Sequence, residues 1–307
     1  FTYNIWANFY KVTNRVDSMA FFYQKSLVVG NVHVKRKASK ELYLIENKKQ
    51  NYMEANRYMR LYVKQVDSIR KLTETESLRK MHALYNRERM ELFLESFPKI
   101  FISGIVMTLP LAVISFVLAM ILAIFCALIQ YAKVPVMKYV VQFYIWIFRG
   151  TPMLVQLFIM YFGMQSIGVR ISAITAAIIV FSLNTGAYCA ETIRGSIESV
   201  PQGQMEAGLC VGMSYMQIMM HIILPQAFRS AFPSLFNNLI SLVKDTSLAA
   251  NITVTEMFMQ TERIAGRTYQ FMQLYIEVAL VYLIFCTVLT WLQAWGEKKL
   301  FINHLGI

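Results

Sequence analysis

FISGIVMTLPLAVISFVLAMILAIFCALI, residues 101–129, contains no charged side chain, and none occurs between Lys99 and Lys133. A helix needs about 20 apolar residues to cross the hydrocarbon of a bilayer, and it satisfies its own backbone hydrogen bonds where water cannot. The run is therefore read as a membrane span. Pro110 near its start predicts a kink, which packed membrane helices accommodate. Composition agrees: 56% of the 307 residues are hydrophobic and the mean hydropathy is +0.43, which excludes an ordinary cytosolic enzyme as the default class.

Beyond a short loop at 132–138, residues 139–163 read YVVQFYIWIFRGTPMLVQLFIMYFG. They span only with Arg149 inside and with Gly150-Thr151-Pro152 breaking the helix, which predicts a bent second span. A third uncharged run, 171–190, ends at Glu191 and Arg194. The segment 232–254 is weakly hydrophobic, with Lys244 and Asp245 adjacent near its middle, whereas 270–295 is strongly apolar, holds Glu277, and ends with Trp291 and Trp295 where an aromatic belt belongs. Counting 232–254 as a span puts 194–231, the C-terminal EKKLFINHLGI, Lys133 and Lys138 on one side. That side collects the short-loop cations and is read as cytoplasmic. The expected fold is all-α and membrane-embedded, with spans at about 100–130, 139–163, 171–193, 232–254 and 270–295, the start of the first lying outside.

Residues 1–98 differ in kind, with 18 Lys and Arg against 10 Asp and Glu, while the rest of the chain holds 12 and 8. An extension over 1–95 is expected, followed by a membrane domain over 96–300 and a tail at 301–307; the topology places the extension outside, where long polar segments translocate largely regardless of charge. Tyr52, Ala55, Met59, Tyr62, Val66 and Ile69 recur every three or four residues and predict an amphipathic helix. No nucleic-acid reader motif accompanies the charge, so nucleic acid is not an expected partner; contact with anionic membrane lipid stays open. Residue 1 is not Met and no signal-peptide pattern follows it, which leaves a truncated start open. Cys126, Cys189, Cys210 and Cys286 are widely spaced, as are the four His, and predict neither a disulfide framework nor a metal site.

Residues 202–227, QGQMEAGLCVGMSYMQIMMHIILPQA, are greasy but interrupted by glycines, a glutamate, a histidine and a proline. On the cytoplasmic side their apolar face, with Met205, Leu209, Met213, Met216 and Met220, needs a protein cover: either a groove on a partner, which flexible Met side chains suit, or the chain's own spans. Pro225 is expected to end a second short helix. Glu206-Ala207-Gly208, Gly212 and Leu224-Pro225 resemble the EAA motif of permease subunits of bacterial ABC importers. FRGTPMLVQLF (148–158), NTGAYCAETIRGSIESVPQGQMEAG (184–208) and LPQAFRSAFPSLFN (224–237) resemble its polar amino acid branch. The resemblance covers about 95–300. Gly208 stands where the usual motif has a second Ala, and the basic extension has no counterpart in the family pattern.

The resemblance implies a five-span type I importer permease in the bacterial plasma membrane, paired with a second permease subunit, identical or similar. Two ABC ATP-binding subunits carrying ATP and Mg would lie beneath, and an extracellular solute-binding protein would deliver a polar amino acid. No cofactor is expected on this chain. Its residues agree that it lacks a phosphate loop: the nearest glycine spacing, Gly163 to Gly168, continues Val-Arg. Gly203, Glu206, Ala207, Gly208, Gly212, Leu224 and Pro225 are the expected ATPase-coupling residues. Polar and ionisable residues at membrane depth are expensive and usually face a path or one another, so Arg149, Thr151, Asn184, Glu191, Lys244, Asp245 and Glu277 are the substrate-path candidates. A carboxylate at 277 beside the path would favour a cationic or zwitterionic solute. Competing readings are a membrane-embedded enzyme, such as a lipid-modifying transferase, and a membrane-anchored scaffold. The first lacks a catalytic constellation at telling spacing, and the second has no use for polar residues inside spans.

Overall fold

The computed structural model describes residues 2–132 and 134–302; Lys133 and the tail from 303, both used above for orientation, lie outside it. The chain divides into two compact units, Phe1–Met90 and Glu91–Ile307. In the first, α1 (Thr2–Val12), α2 (Val16–Val29) and α3 (Val32–Lys48) join the start of α4 (Tyr52–Ser103). Asn31 caps α3 by accepting from the Val34 amide at 3.0 Å. Ala7, Tyr23, Ala38, Leu42 and Ile45 form a small core with Tyr58 of α4. Burial, with the charge of Glu41 second, pushes the Tyr23 hydroxyl up to about 12, and that hydroxyl donates to Asn8 at 3.1 Å. The ion pair Lys11–Glu41 at 2.7 Å closes the bundle. In the predicted amphipathic stripe Ala55 is buried and Tyr52 is exposed, and from Arg70 onward α4 is exposed on all sides as far as Glu91.

In the second unit a π-helical turn, Gly104–Thr108, links α4 to α5 (Leu109–Tyr131) just ahead of Pro110. Proline lacks the amide that would bond one turn back, and the wider turn absorbs that defect where a kink was expected. Then come α6 (Met137–Gly150), α7 (Met153–Phe158), a second π turn and α8 (Met164–Ser166), followed by α9 (Ala173–Glu198), α10 (Gln202–Cys210) and α11 (Tyr215–Ile218). A third π turn, Met219–Ile223, opens into α12 (Leu224–Asp245); a 3₁₀ segment, α13 (Met257–Thr268) and α14 (Phe271–Ile302) complete the unit.

Among the described residues three helical runs are long and apolar enough to cross a membrane: Tyr52–Tyr131 in its apolar part, Ala173–Glu198 and Phe271–Leu300. Met137–Gly150 and Met153–Ser166 make a fourth candidate as a pair bent by 106°. The 22-residue α12 is long enough for a fifth but more amphipathic, and Ala231, Leu235, Leu242 and Val243 bury its apolar stripe. Small residues set the packing. Ala112, Ser115, Ala119, Ala123 and Ala127 line the buried face of α5, and Ala176, Ala177, Gly186, Ala187 and Ala190 that of α9. Apolar lipid tails give helices no hydrophobic reason to associate, so close backbone approach over small side chains supplies the dispersion energy. The larger Val117, Ile121 and Phe125 are left exposed on α5. Leu111, Leu157, Phe181, Leu242 and Ile252 join α5, α7, α9, α12 and the 3₁₀ segment in one core.

Candidate translocation cavity and coupling segment

The broken second span builds the site. Pro152 cannot continue the hydrogen bonding of α6, so carbonyls of its last turn lose their helical partners. Two amide side chains take them up. Gln156 donates to the carbonyls of Phe148 (3.0 Å) and Thr151 (3.1 Å) and to Thr151 Oγ1 (2.8 Å). Asn184 Nδ2, from α9, donates to Phe148 O and to Gln156 Oε1, both at 3.0 Å. Irregular backbone at membrane depth survives only where it is buried in protein or lines a cavity, and both conditions hold here.

Beside the break lies a cavity of about 390 Å³ lined by Thr151, Pro152, Met153, Asn184, Thr185, Tyr188, Asn238, Ser241 and Asp245. It offers hydroxyls, amides, a phenol and one carboxylate, within walls supplied by the broken span, α9 and α12. Of the substrate-path candidates the structure thus brings together Thr151, Asn184 and Asp245. Asn184 has both roles, because its amide hydrogens hold the break. Arg149 and Glu191 lie next to the cavity, 3.8 Å apart, the Arg149 guanidinium lying 5.2 Å from the ring centre of Tyr188.

Lys244 and Glu277 do not join this group. Successive helical residues point about 100° apart, so Lys244 faces a different groove, with Ser247, Phe258, Tyr275, Val278 and Tyr282. Its neighbour Asp245 lines the cavity beside the break instead, so the two adjacent residues line different cavities. Glu277 is almost fully buried, accepting from Ser96 Oγ and from Gln273 Nε2 at 3.0 Å. The Ser96 bond ties α14 to α4 and the Gln273 bond lies within α14, and Glu277 is not among the residues that line the cavity. The composition-led reading missed Gln156, Thr185, Tyr188, Asn238 and Ser241. Gln156, an amide four residues past the helix-breaking Pro152, carried a legible signal; the others are ordinary polar residues until the helices are packed.

The candidate coupling segment is a pair of short helices joined by a tight turn. Ser214 and Gln217 form a reciprocal capping box that starts α11. Gly212, at φ +79°, makes the turn between α10 and α11 in the left-handed region that favours glycine. Gly208 is buried under Ile218: a Cβ at 208 would come within 2.6 Å of Ile218 Cγ1, which gives the departure from the usual Ala a physical reason. Glu206 and Ala207 are exposed, as is Gly203. The methionine face divides. Met205 and Met213 pack inward on Ile197, Ile218 and Ile223, while Leu209, Met216 and Met220 stay 57%, 66% and 56% exposed. Leu224-Pro225 begins α12 instead of ending a helix, because the π turn ahead of it accommodates the missing proline amide.

The family described as binding-protein-dependent transport system inner membrane component matches residues 119–302, more than half of the chain. The chain belongs to this family. The permease is 44% identical over 211 residues to the L-cystine transport system permease protein TcyB of Bacillus subtilis (strain 168), a match covering 68% of this chain and 90% of that one. It is also 44% identical over 209 residues to the probable amino-acid ABC transporter permease protein YckA of the same organism, covering 68% and 92%. A crystal structure of an amino acid ABC transporter with histidines superposes with a TM-score of 0.64 at 32% identity, over 68% of this chain and 97% of that one. The permease is accordingly a multi-pass, non-enzymatic inner-membrane subunit of type I fold. ATP hydrolysis belongs to a separate ATPase subunit, and a second permease subunit completes the membrane part. The enzyme and scaffold readings have no support.

Proposed function

We propose that this permease passes a polar amino acid through the cavity between the broken span, α9 and α12, and that the α10–α11 pair is its joint to the ATPase. The observation that carries the reading is the cavity itself, whose volume of about 390 Å³ falls within the roughly 300–1,000 Å³ of small-molecule sites. Asp245 suits the ammonium end of a zwitterion, and the hydroxyls of Thr151, Thr185 and Ser241 suit its carboxylate. The names of the similar proteins, an L-cystine permease and amino acid ABC transporters, point to the same solute class.

The joint is built to be covered: Glu206 and Ala207 face outward together with Leu209, Met216 and Met220. A flexible apolar face rimmed by one carboxylate fits a cleft that changes shape as ATP, held with Mg on the partner, is bound and hydrolysed. Movement there reaches α9 directly, since only Ser199, Val200 and Pro201 separate α9 from α10. The result is rigid-body rocking of spans about the cavity. In this reading five spans cross the bacterial plasma membrane, 194–231 is cytoplasmic, and an extracellular solute-binding protein delivers the amino acid.

Proteoliposomes holding the permease with its ATP-binding subunit and binding protein provide the test. ATP-dependent uptake is expected for an amino acid from a panel that includes L-cystine and L-arginine, and Asp245→Asn is expected to reduce it at least tenfold with the assembly intact. Uptake of no amino acid, or full uptake by Asp245→Asn, overturns the reading.

A further inference from the structure

Below the cavity, the face of α9 that carries Asn184, Thr185 and Tyr188 continues with Glu191, Arg194 and Glu198, spaced three and four residues apart. Arg194 bonds both oxygens of Glu198 at 2.7 Å and donates to Glu191 at 2.9 and 3.3 Å. Gln130 of α5 donates to Glu191 at 3.4 Å. Glu198 in turn lines, with Gln202, Met205 and Glu206, the cavity next to the coupling segment. From Asn184 to Glu198 this stripe rises about 21 Å along the helix. It therefore joins the wall of the solute cavity to the joint.

One rung differs. Arg149 sits one residue before the break in the second span, and it meets Glu191 at 3.8 Å, outside hydrogen-bond range, with side chains 44% and 25% exposed. Bonds within α9 are short, whereas this contact between α6 and α9 is long and partly open to water, so it costs little to separate. A charge at membrane depth needs somewhere to go when its partner leaves. Arg149 has one: the ring of Tyr188, already at 5.2 Å, is in the cavity wall.

We infer that Arg149 and Glu191 form a breakable latch between the inner half of the broken span and α9, so that movement of the coupling segment opens the inner side of the cavity by parting them. Both are positioning residues, acting through Tyr188 and the Gly150–Pro152 break and not by touching solute. The inference rests on the proposed function for what passes through the cavity, but the latch itself is a property of this chain.

Two measurements test it. In the full-length permease carrying Cys210→Ser and Ser241→Cys, in membrane vesicles open to the cytoplasmic face, labelling of position 241 by a membrane-impermeant maleimide is read as a rate. Glu191→Gln and Arg149→Gln are each expected to raise it several-fold, the double variant no further than either single, and Arg149→Lys much less. Unchanged rates, or effects that multiply in the double variant, overturn the latch. In the reconstituted importer the same variants are expected to raise the ATP hydrolysed per L-cystine or L-arginine taken up at least threefold; an unchanged ratio overturns the role in coupling. If no amino acid is carried at all, the proposed function fails while the labelling rates still judge the latch, so the two failures are distinguishable.

Discussion

Gly208 shows how one missing methyl can be specified by its surroundings. The usual motif has Ala there, yet in this chain Ile218 is fully buried against the glycine. Restoring the family residue with Gly208→Ala is therefore expected to destabilise the α10–α11 pair by about 1–3 kcal/mol, the usual cost of overpacking. Reduced ATPase co-purification and a lower melting temperature would show it. Glu277 makes the opposite case, since an ionisable side chain in an apolar run invites a role in transport. With Ser96 and Gln273 bound to it, Glu277→Gln is expected to leave the ratio of lysine, arginine and histidine uptake unchanged while lowering thermal stability; a changed ratio would put the carboxylate back on the path.

Two amides, Gln156 and Asn184, satisfy the carbonyls at the break in the second span. Removing one partner of a buried carbonyl costs about 1–3 kcal/mol, and Gln156 serves three acceptors around the break. Gln156→Leu, similar in volume but without donors, is expected to cost at least that and to reduce uptake more than tenfold, whereas Gln156→Glu retains the acceptor for Asn184 and loses the donors to Phe148 and Thr151. Melting curves and uptake of the two variants check the assignment. The break itself was legible, because Gly-Thr-Pro in an apolar run forbids a continuous helix. Its 106° angle was not, since side chains from α7 and α9 fix it.

The two compact units differ in what holds them. The membrane unit has several cores of its own, those between α5 and α9 rich in alanine, and the basic unit has a core around Tyr23 and Leu42. A chain beginning at Glu91 keeps every residue of the cavity and of the coupling segment, and it keeps Ser96 for Glu277. It is expected to insert, to melt within a few degrees of the full chain and to retain uptake, as thermal denaturation and transport of the shortened protein would show.

The sequence by itself determined the membrane class, the interrupted second span and the turn at Gly212, for these rest on local chemistry: apolar length against bilayer thickness, proline's missing amide, glycine's backbone freedom. The tertiary structure decided which polar residues meet. Asp245 and Lys244 are adjacent in the chain yet face different cavities, and Met205 and Met216 belong to one stripe yet point to opposite sides. Which residue finds which partner depends on how helices are rotated and packed against one another, a sum of many weak contacts spread along the chain that no single stretch of it encodes.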